Sequence, residues 1–268
     1  MNFWTRNNSS NSHFYTVRKH QDNYIWENYY AKNIEPLMND VISEISCKSN
    51  CILLKDKATI ITSELKIRIA TVMMFQFLRG KHSREFEKKV YQGALPGVIE
   101  NARNLFGPLD EEKEKILEAY GNNEEYFKLA AMEATLNIER YEKFINVLLQ
   151  RSFVVFKIIG DLDYITSDNP VMFVDAFSLN ATPFKNGLAH HSTVVFFPLT
   201  PKIVIAAYHP DLYFGTLLDL DGKINFLDSN RESKFVEMLN RKQFEQCYDQ
   251  VYARKRNILE SLIGRKEK

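Results

Sequence analysis

The stretch SFVVFKIIG, residues 152–160, decides the fold class, because the hydrophobic pattern changes its period there. It is dense in β-branched and aromatic residues and ends at a glycine, which is typical of a buried strand. Before it, apolar residues recur every three or four positions, as on amphipathic helices; after it, short apolar runs alternate with turn residues. The sequence therefore predicts a helical half followed by a sheet.

The half of the chain before residue 152 predicts helices that each bury one face. A largely buried helix is expected after Thr62-Ser63-Glu64, which supplies a cap. Two breakers separate the helices that follow: one at Gly93–Gly97 and the other at the pair Gly107-Pro108. The expected helices cover residues 23–45, 62–79, 83–91, 111–120 and 123–150.

The second half predicts strands and then a helix. Strands are expected at 153–159, 164–166, 193–197 and 202–208. A hairpin is expected over 217–227 around Asp221-Gly222, which makes the predicted sheet mostly antiparallel. Helical spacing then returns and predicts a C-terminal helix over 233–264.

This order of elements favours an α+β fold over a doubly wound parallel sheet. We expect a polar N-terminal segment over 1–22 and a single α+β domain over 23–268. Within that domain, the expected helical part covers 23–151, the sheet part 152–228 and the C-terminal helix 233–264.

The charge balance and the cysteines limit the classes of function. The 35 basic and 34 acidic residues nearly cancel, which removes the overall positive charge of a dedicated duplex-DNA binder. The three cysteines form no tandem pairs, and the sequence shows neither a signal peptide nor an apolar run of membrane-spanning length. We therefore expect a soluble, cytoplasmic protein without a membrane partner.

The turn Ser167-Asp168-Asn169-Pro170 is the main candidate for a functional site, because it gathers polar side chains at a strand end. In one interpretation, Asp168 and Asn169 satisfy backbone donors in an Asx-turn that Pro170 fixes. In the other, the three side chains are catalytic: Asp168 is a general base or binds a divalent metal ion, and Asn169 orients it. The candidates for a second acidic ligand are Asp161, Asp163 and Glu35.

A second polar group lies on the predicted buried helix. Gln76 and Arg79 are three residues apart and share a face, and Arg84 follows just beyond the helix end. Such residues either hold helices together through ion pairs and carbonyl groups, or they bind an anionic substrate such as a phosphate. The sequence leaves both interpretations open.

Other reactive residues give weaker indications. His190 and His191 precede a strand, and in extended backbone their rings would point to opposite faces, so only one could serve a site. The histidines and cysteines lack the spacing of a zinc site. No phosphate loop, nucleophile elbow or dinucleotide fingerprint is present, so no motif indicates an established enzyme class.

Four motifs along the chain carry a family resemblance. They are Gln76-Phe-Leu-Arg79, Ile165-Thr-Ser-Asp-Asn-Pro-Val171, Phe197-Pro-Leu-Thr-Pro201, and Leu239-Asn240 before Val251-Tyr252. In this order they resemble the mainly bacterial, uncharacterised domain of unknown function 4238 family, over residues 2–252. Members usually begin with a His-Tyr-x-Pro motif, which this chain lacks, and the resemblance implies no particular reaction.

These residues motivate two hypotheses. In the first, the turn, Gln76, Arg79 and Arg84 converge on a pocket that processes a nucleic acid or nucleotide, as a hydrolase or nuclease in bacterial defence against phage or in toxicity. In the second, the same residues are structural, and the chain is a non-catalytic interaction or regulatory module that binds a partner protein. A metal-independent hydrolase that uses His190 or His191 is a third option.

Overall fold

A computed structural model of the chain describes residues 2–5, 24–53, 58–107, 110–113, 115, 123, 138–177, 187–212 and 220–263. The elements of this part are, in chain order, β1 (Asn2–Thr5), α1 (Ile25–Tyr29), a π-helical turn (Tyr30–Ile34), α2 (Glu35–Asn50), α3 (Ser63–Leu78), α4 (Lys81–Phe106), α5 (Ile138–Leu149), β2 (Ser152–Ile159), β3 (Thr166–Ser167), β4 (Met172–Asp175), β5 (Thr193–Thr200), β6 (Ile203–Tyr208), β7 (Ile224–Asp228), α6 (Ser233–Gln246), β8 (Gln250–Ala253) and α7 (Arg256–Ile263). The predicted α+β fold is confirmed. Among the described helices, none combines the length and the apolar composition that crossing a bilayer requires.

Two sheets organise these strands. The larger one has the order β4-β5-β6-β2-β7, and the smaller one has the order β1-β8-β3. All pairs are antiparallel except β2 with β7, so the sheets are mostly antiparallel, as predicted. The second strand of the expected hairpin over 217–227 corresponds to β7, which pairs in parallel with the remote β2. Residues 213–219 lie outside the described part.

The larger sheet is buried on both faces, which explains the continuous apolar run that opens the second half of the chain. Phe153 and Val155 face a core that α2, α3 and α5 complete. Val154 and Phe156 face a second core, where α6 contributes Leu239. Successive residues of a strand point to opposite faces, so a strand between two cores needs apolar residues at every position.

The helix α3 begins as predicted and supplies much of the first core. The hydroxyl of Thr62 accepts the backbone N–H of Leu65 at 3.2 Å, which caps the helix. Leu65, Ile69 and Met73 are then buried at the spacing of one helix face. This helix also carries Gln76 near its C-terminal end, next to Arg79.

The predicted break at Gly93–Gly97 is wrong, because α4 continues through it to Phe106 with Pro96 inside the helix. A proline removes one helical hydrogen bond without ending every helix, and the turns on both sides of Pro96 are helical here. The next two helices are expected over 111–120 and 123–150. Residues 111–113 of the first and Ile138–Leu149 of the second are helical. The intervening residues 116–122 and 124–137 lie outside the described part.

The C-terminal helix expected over 233–264 is two helices with a strand between them. α6 ends at Gln246, and Cys247 has an extended backbone, with φ of −64° and ψ of 145°. The strand β8 then pairs with β1 on one side and β3 on the other. Two strands that are remote from β8 in sequence satisfy its backbone groups, and local helical spacing cannot reveal such partners.

A buried guanidinium holds the segment that enters β5. Arg151 is 1% exposed, and its described hydrogen bonds go to the backbone carbonyls of Leu188, His190 and Thr193. Burial lowers the pKa of Arg151 to about 10, so the side chain is still charged at neutral pH. The carbonyl oxygens therefore stabilise a charge that has left water.

We expect Arg151→Met to lower the free energy of unfolding by about 2 to 3 kcal/mol, because the carbonyl groups lose their donors. Denaturation by urea measures the change. Arg241→Met is the matched control, since that side chain is 71% exposed in a pair with Glu245, and it should cost less than about 0.5 kcal/mol. Equal losses in the two variants would contradict this role for Arg151.

Candidate functional site

The carboxylate of Asp168 binds the backbone of a loop from a remote part of the chain. Its Oδ1 accepts the N–H of Tyr248 at 3.1 Å, and its Oδ2 accepts those of Asp249 at 2.7 Å and Gln250 at 3.4 Å. The Asp168 N–H in turn donates to the carbonyl of Gln250 at 3.0 Å. The side chain thereby fixes the loop that leads from α6 into β8.

Ser167 and Asn169 are bound to each other and to α6. The Ser167 hydroxyl donates to the carbonyl of Asn169 and accepts the N–H of Asn169, both at 3.1 Å. The Nε2 of Gln243 donates to that hydroxyl and, at 2.8 Å, to the Asn169 carbonyl, which also accepts the Nε2 of Gln246 at 2.6 Å. The serine proton is therefore engaged with main chain.

The predicted substrate-binding residues lie at the end of α3. Gln76 is buried, and its Nε2 lies 3.2 Å from the sulfur of Met38 on α2. The guanidinium of Arg79 lies 5.7 Å from the ring centre of Tyr30. Both contacts join α3 to the preceding helical segment. The side chain of Arg84 is outside the described part of the structure.

The charges of Arg79 and Asp168 both act on one tyrosine. Burial raises the pKa of Tyr252, the nearby charge of Asp168 raises it further, and the charge of Arg79 lowers it. The backbone between α3 and α4 also approaches the turn, because a Cβ added at Gly80 would lie 3.7 Å from the Oδ1 of Asn169. The described contacts of Gln76, in contrast, do not join it to the turn.

Two further residues complete a polar surface here. The ammonium of Lys81 lies 5.4 Å from the ring centre of Tyr248 and 3.9 Å from the carboxylate of Asp249. Burial raises the pKa of Tyr248, as do the charges of Glu85 and Asp168. We call the group formed by Arg79, Lys81, Asp168, Tyr248 and Tyr252 the turn surface. Sequence reasoning missed Lys81 and Tyr248, although Lys81 follows Arg79 by two residues.

The acidic residues named as second metal ligands are placed differently. Asp163 is buried and pairs with Arg254, at 3.0 and 2.9 Å, and with Lys202 at 2.8 Å. Asp161 is exposed, and Glu35 is exposed at the start of α2. Within the described ranges, no group of three or more His, Cys, Asp or Glu side chains could hold a metal ion. No described contact therefore places any of these three acids beside Asp168.

The two adjacent histidines stack instead of pointing apart. Their ring centres are 4.7 Å apart with an interplanar angle of 23°, because residues 187–192 form turns and not extended strand. The Nδ1 of His190 lies 2.9 Å from the hydroxyl of Ser192, which donates to Asp175. The serine stands between the acid and the histidine, so the order differs from the acid, histidine and serine relay of hydrolases.

We expect Asp168→Ala to lower the free energy of unfolding by about 2 to 3 kcal/mol, because three loop N–H groups lose a charged acceptor. Asp168→Asn keeps one acceptor oxygen and should cost less. Urea denaturation measures both changes against Asp211→Ala, whose side chain is 84% exposed. An Asp168→Ala variant as stable as that control would exclude a structural role.

Comparison with known proteins assigns a family and no reaction. A family model described as Protein of unknown function (DUF4238) matches residues 4–257, which is nearly the whole chain. No curated protein and no solved structure is significantly similar to the chain. The match includes the Ser-Asp-Asn-Pro turn, α3 and β8, whose contacts form the turn surface. The chain therefore belongs to the DUF4238 family.

Proposed function

We propose that the chain is a non-catalytic interaction or regulatory module, in which the turn residues hold helices and sheets together. The observation that carries the proposal is the engagement of Asp168 with three backbone N–H groups. An ionised carboxylate offers about four lone-pair sites, so most of its capacity is used. Ser167 and Asn169 are engaged in the same way.

The exposed face of α4 supports binding of a protein. Val90, Val98 and Leu105 are between 50% and 75% exposed. Together with Gly93 and Gly97 they lie within a sector about 140° wide around the helix axis. A Cβ added at either glycine would meet no atom of the described residues within 4 Å. The surface therefore suits close packing against an apolar helix of a partner protein.

The test compares two aspartate substitutions on opposite faces of α4. Val98→Asp should reduce co-purification of a stoichiometric partner protein from the source cells at least tenfold, because a charge would be buried in the contact. Gln92→Asp, on the opposite face, should retain the partner, and Val98→Asp should not change the melting temperature, because Val98 is exposed. Equal recovery with the two variants would contradict the proposal.

A second candidate is the nucleic-acid- or nucleotide-processing effector, in bacterial defence or toxicity. The turn surface favours it, because Arg79 and Lys81 can bind phosphate while Tyr248 and Tyr252 offer rings for base stacking. The carboxylates of Asp168 and Asp249 lie nearby and oppose an anionic ligand. Both candidates place the protein in the cytoplasm, where its three free thiols stay reduced.

Oligonucleotide and nucleotide assays separate the two candidates. If the chain is a module, purified protein with Mg²⁺ or Mn²⁺ should show no hydrolysis of single-stranded DNA, RNA or nucleoside triphosphates above that of Arg79→Ala. For an effector, Arg79→Ala should lower binding and turnover at least tenfold in protein that remains folded. Arg241→Ala, an exposed arginine on α6, is the matched control.

A further inference from the structure

The face of the larger sheet that packs against α6 contains an apolar cavity of about 240 Å³. Strands β2, β4, β5 and β6 form its floor, and Phe235 and Met238 of α6 form one wall. These two residues are three positions apart, so they share a face of the helix. Among the described residues that line the cavity, none carries a charge. The lining therefore suits an apolar occupant.

The register of the sheet explains why the floor of the cavity is low. Ala206 of β6 pairs with Val154 of β2 on one side and with Phe196 of β5 on the other. Residues paired across a sheet point to the same face, so these three side chains form a row, and all three line the cavity. The methyl group of Ala206 is the shortest of the three. It leaves space between the two larger side chains.

Three phenylalanine rings line the cavity, and one of them contacts the other two. The ring centre of Phe235 lies 5.6 Å from that of Phe156 and 6.1 Å from that of Phe196, with an interplanar angle of 65° in both pairs. Phe156 and Phe196 are buried, whereas Phe235 and Met238 are half-buried. A methionine side chain is flexible and can move aside for a ligand. The edge of α6 therefore offers an entrance to the cavity.

A space of this size is unfavourable in a protein interior unless it is filled. Native cores pack as densely as organic crystals, and the side chains around a void lose dispersion contacts. The loss increases with the volume of the void. An apolar cavity of about 150 Å³ stays free of water and binds benzene. A cavity of about 240 Å³ is larger and therefore admits a body of two fused rings.

We propose that this cavity binds a neutral aromatic compound of one or two rings. The rings of Phe156, Phe196 and Phe235 can make edge-to-face contacts with such a ligand, which add to the gain from burying its apolar surface. A charged ligand would lose its hydration without meeting a counter-charge among the described lining residues. Those residues belong neither to the turn surface nor to the exposed face of α4, so the site goes beyond both proposed functions.

Two measurements test the site in the unsubstituted full chain. Calorimetric titration with indole should show one saturable site with a dissociation constant below about 1 mM. Indole-3-acetate, which adds a carboxylate, should bind at least tenfold more weakly, because the cavity offers that charge no partner. In crystals exposed to bromobenzene, an anomalous bromine peak should lie between Ala206 and Phe235.

A substitution that fills the cavity tests where indole binds. Ala206→Leu should weaken indole binding at least tenfold, because the longer side chain occupies the space above the floor. Ala31→Leu is the matched control, since that alanine is exposed in the π-helical turn, and it should leave the affinity unchanged.

The absence of saturable indole binding to the unsubstituted chain would overturn the proposal, and a segment of the chain or a partner protein that filled the cavity would give that result. A bromine peak outside the cavity, or equal indole affinities of Ala206→Leu and the unsubstituted chain, would also overturn it. The first two measurements need no substitution, so they decide the question even if Ala206→Leu does not fold. Hydrolase and partner-binding assays have no bearing on the result, which keeps this test separate from those of the proposed functions.

Discussion

The hydrogen bonds of one carboxylate determine where the chain enters the smaller sheet. Asp168 accepts the N–H groups of Tyr248, Asp249 and Gln250, just before and at the start of β8. Because β8 is the central strand between β1 and β3, its position decides whether both neighbours can pair. Loop N–H groups that leave water need acceptors, and a charged acceptor is the strongest available. The pairing of the N-terminal strand β1 thus depends on a turn that lies more than 160 residues away in sequence.

The same turn also contacts two helices, which makes it a joint between the parts of the fold. Gln243 and Gln246 bind it from α6, and Gly80 approaches it from the end of α3. Contacts of this kind consume the polar atoms that a catalytic site would need. Side chains remain accessible on the exposed face of α4 and, in part, on the turn surface. The family that the chain belongs to covers nearly all of these elements without naming a reaction.

Much of the fold could be predicted from local pattern, and the exceptions share a cause. The limits of α3, β2 and β6 differ from the expected ones by a residue, because burial of one face or both faces imposes a period on the sequence. The expected long C-terminal helix was wrong because β8 interrupts it and pairs with remote strands. The parallel pairing of β7 with the remote β2 was likewise not predicted. The break expected in α4 was wrong, because the helix continues through Pro96 and both glycines to Phe106.

For the candidate site, the sequence by itself determined the residue types, the turn at Pro170 and the helical placement of Gln76 and Arg79. Only the tertiary structure decided what these side chains do. Asp168 finds its donors 80 to 82 residues further along the chain, and Arg79 finds the rings of Tyr30 and, nearby, Tyr252. Local sequence fixes backbone conformation through short-range sterics and through the spacing of its apolar residues. The partner of a polar group depends on which distant segment is buried beside it, and folding of the whole chain sets that contact.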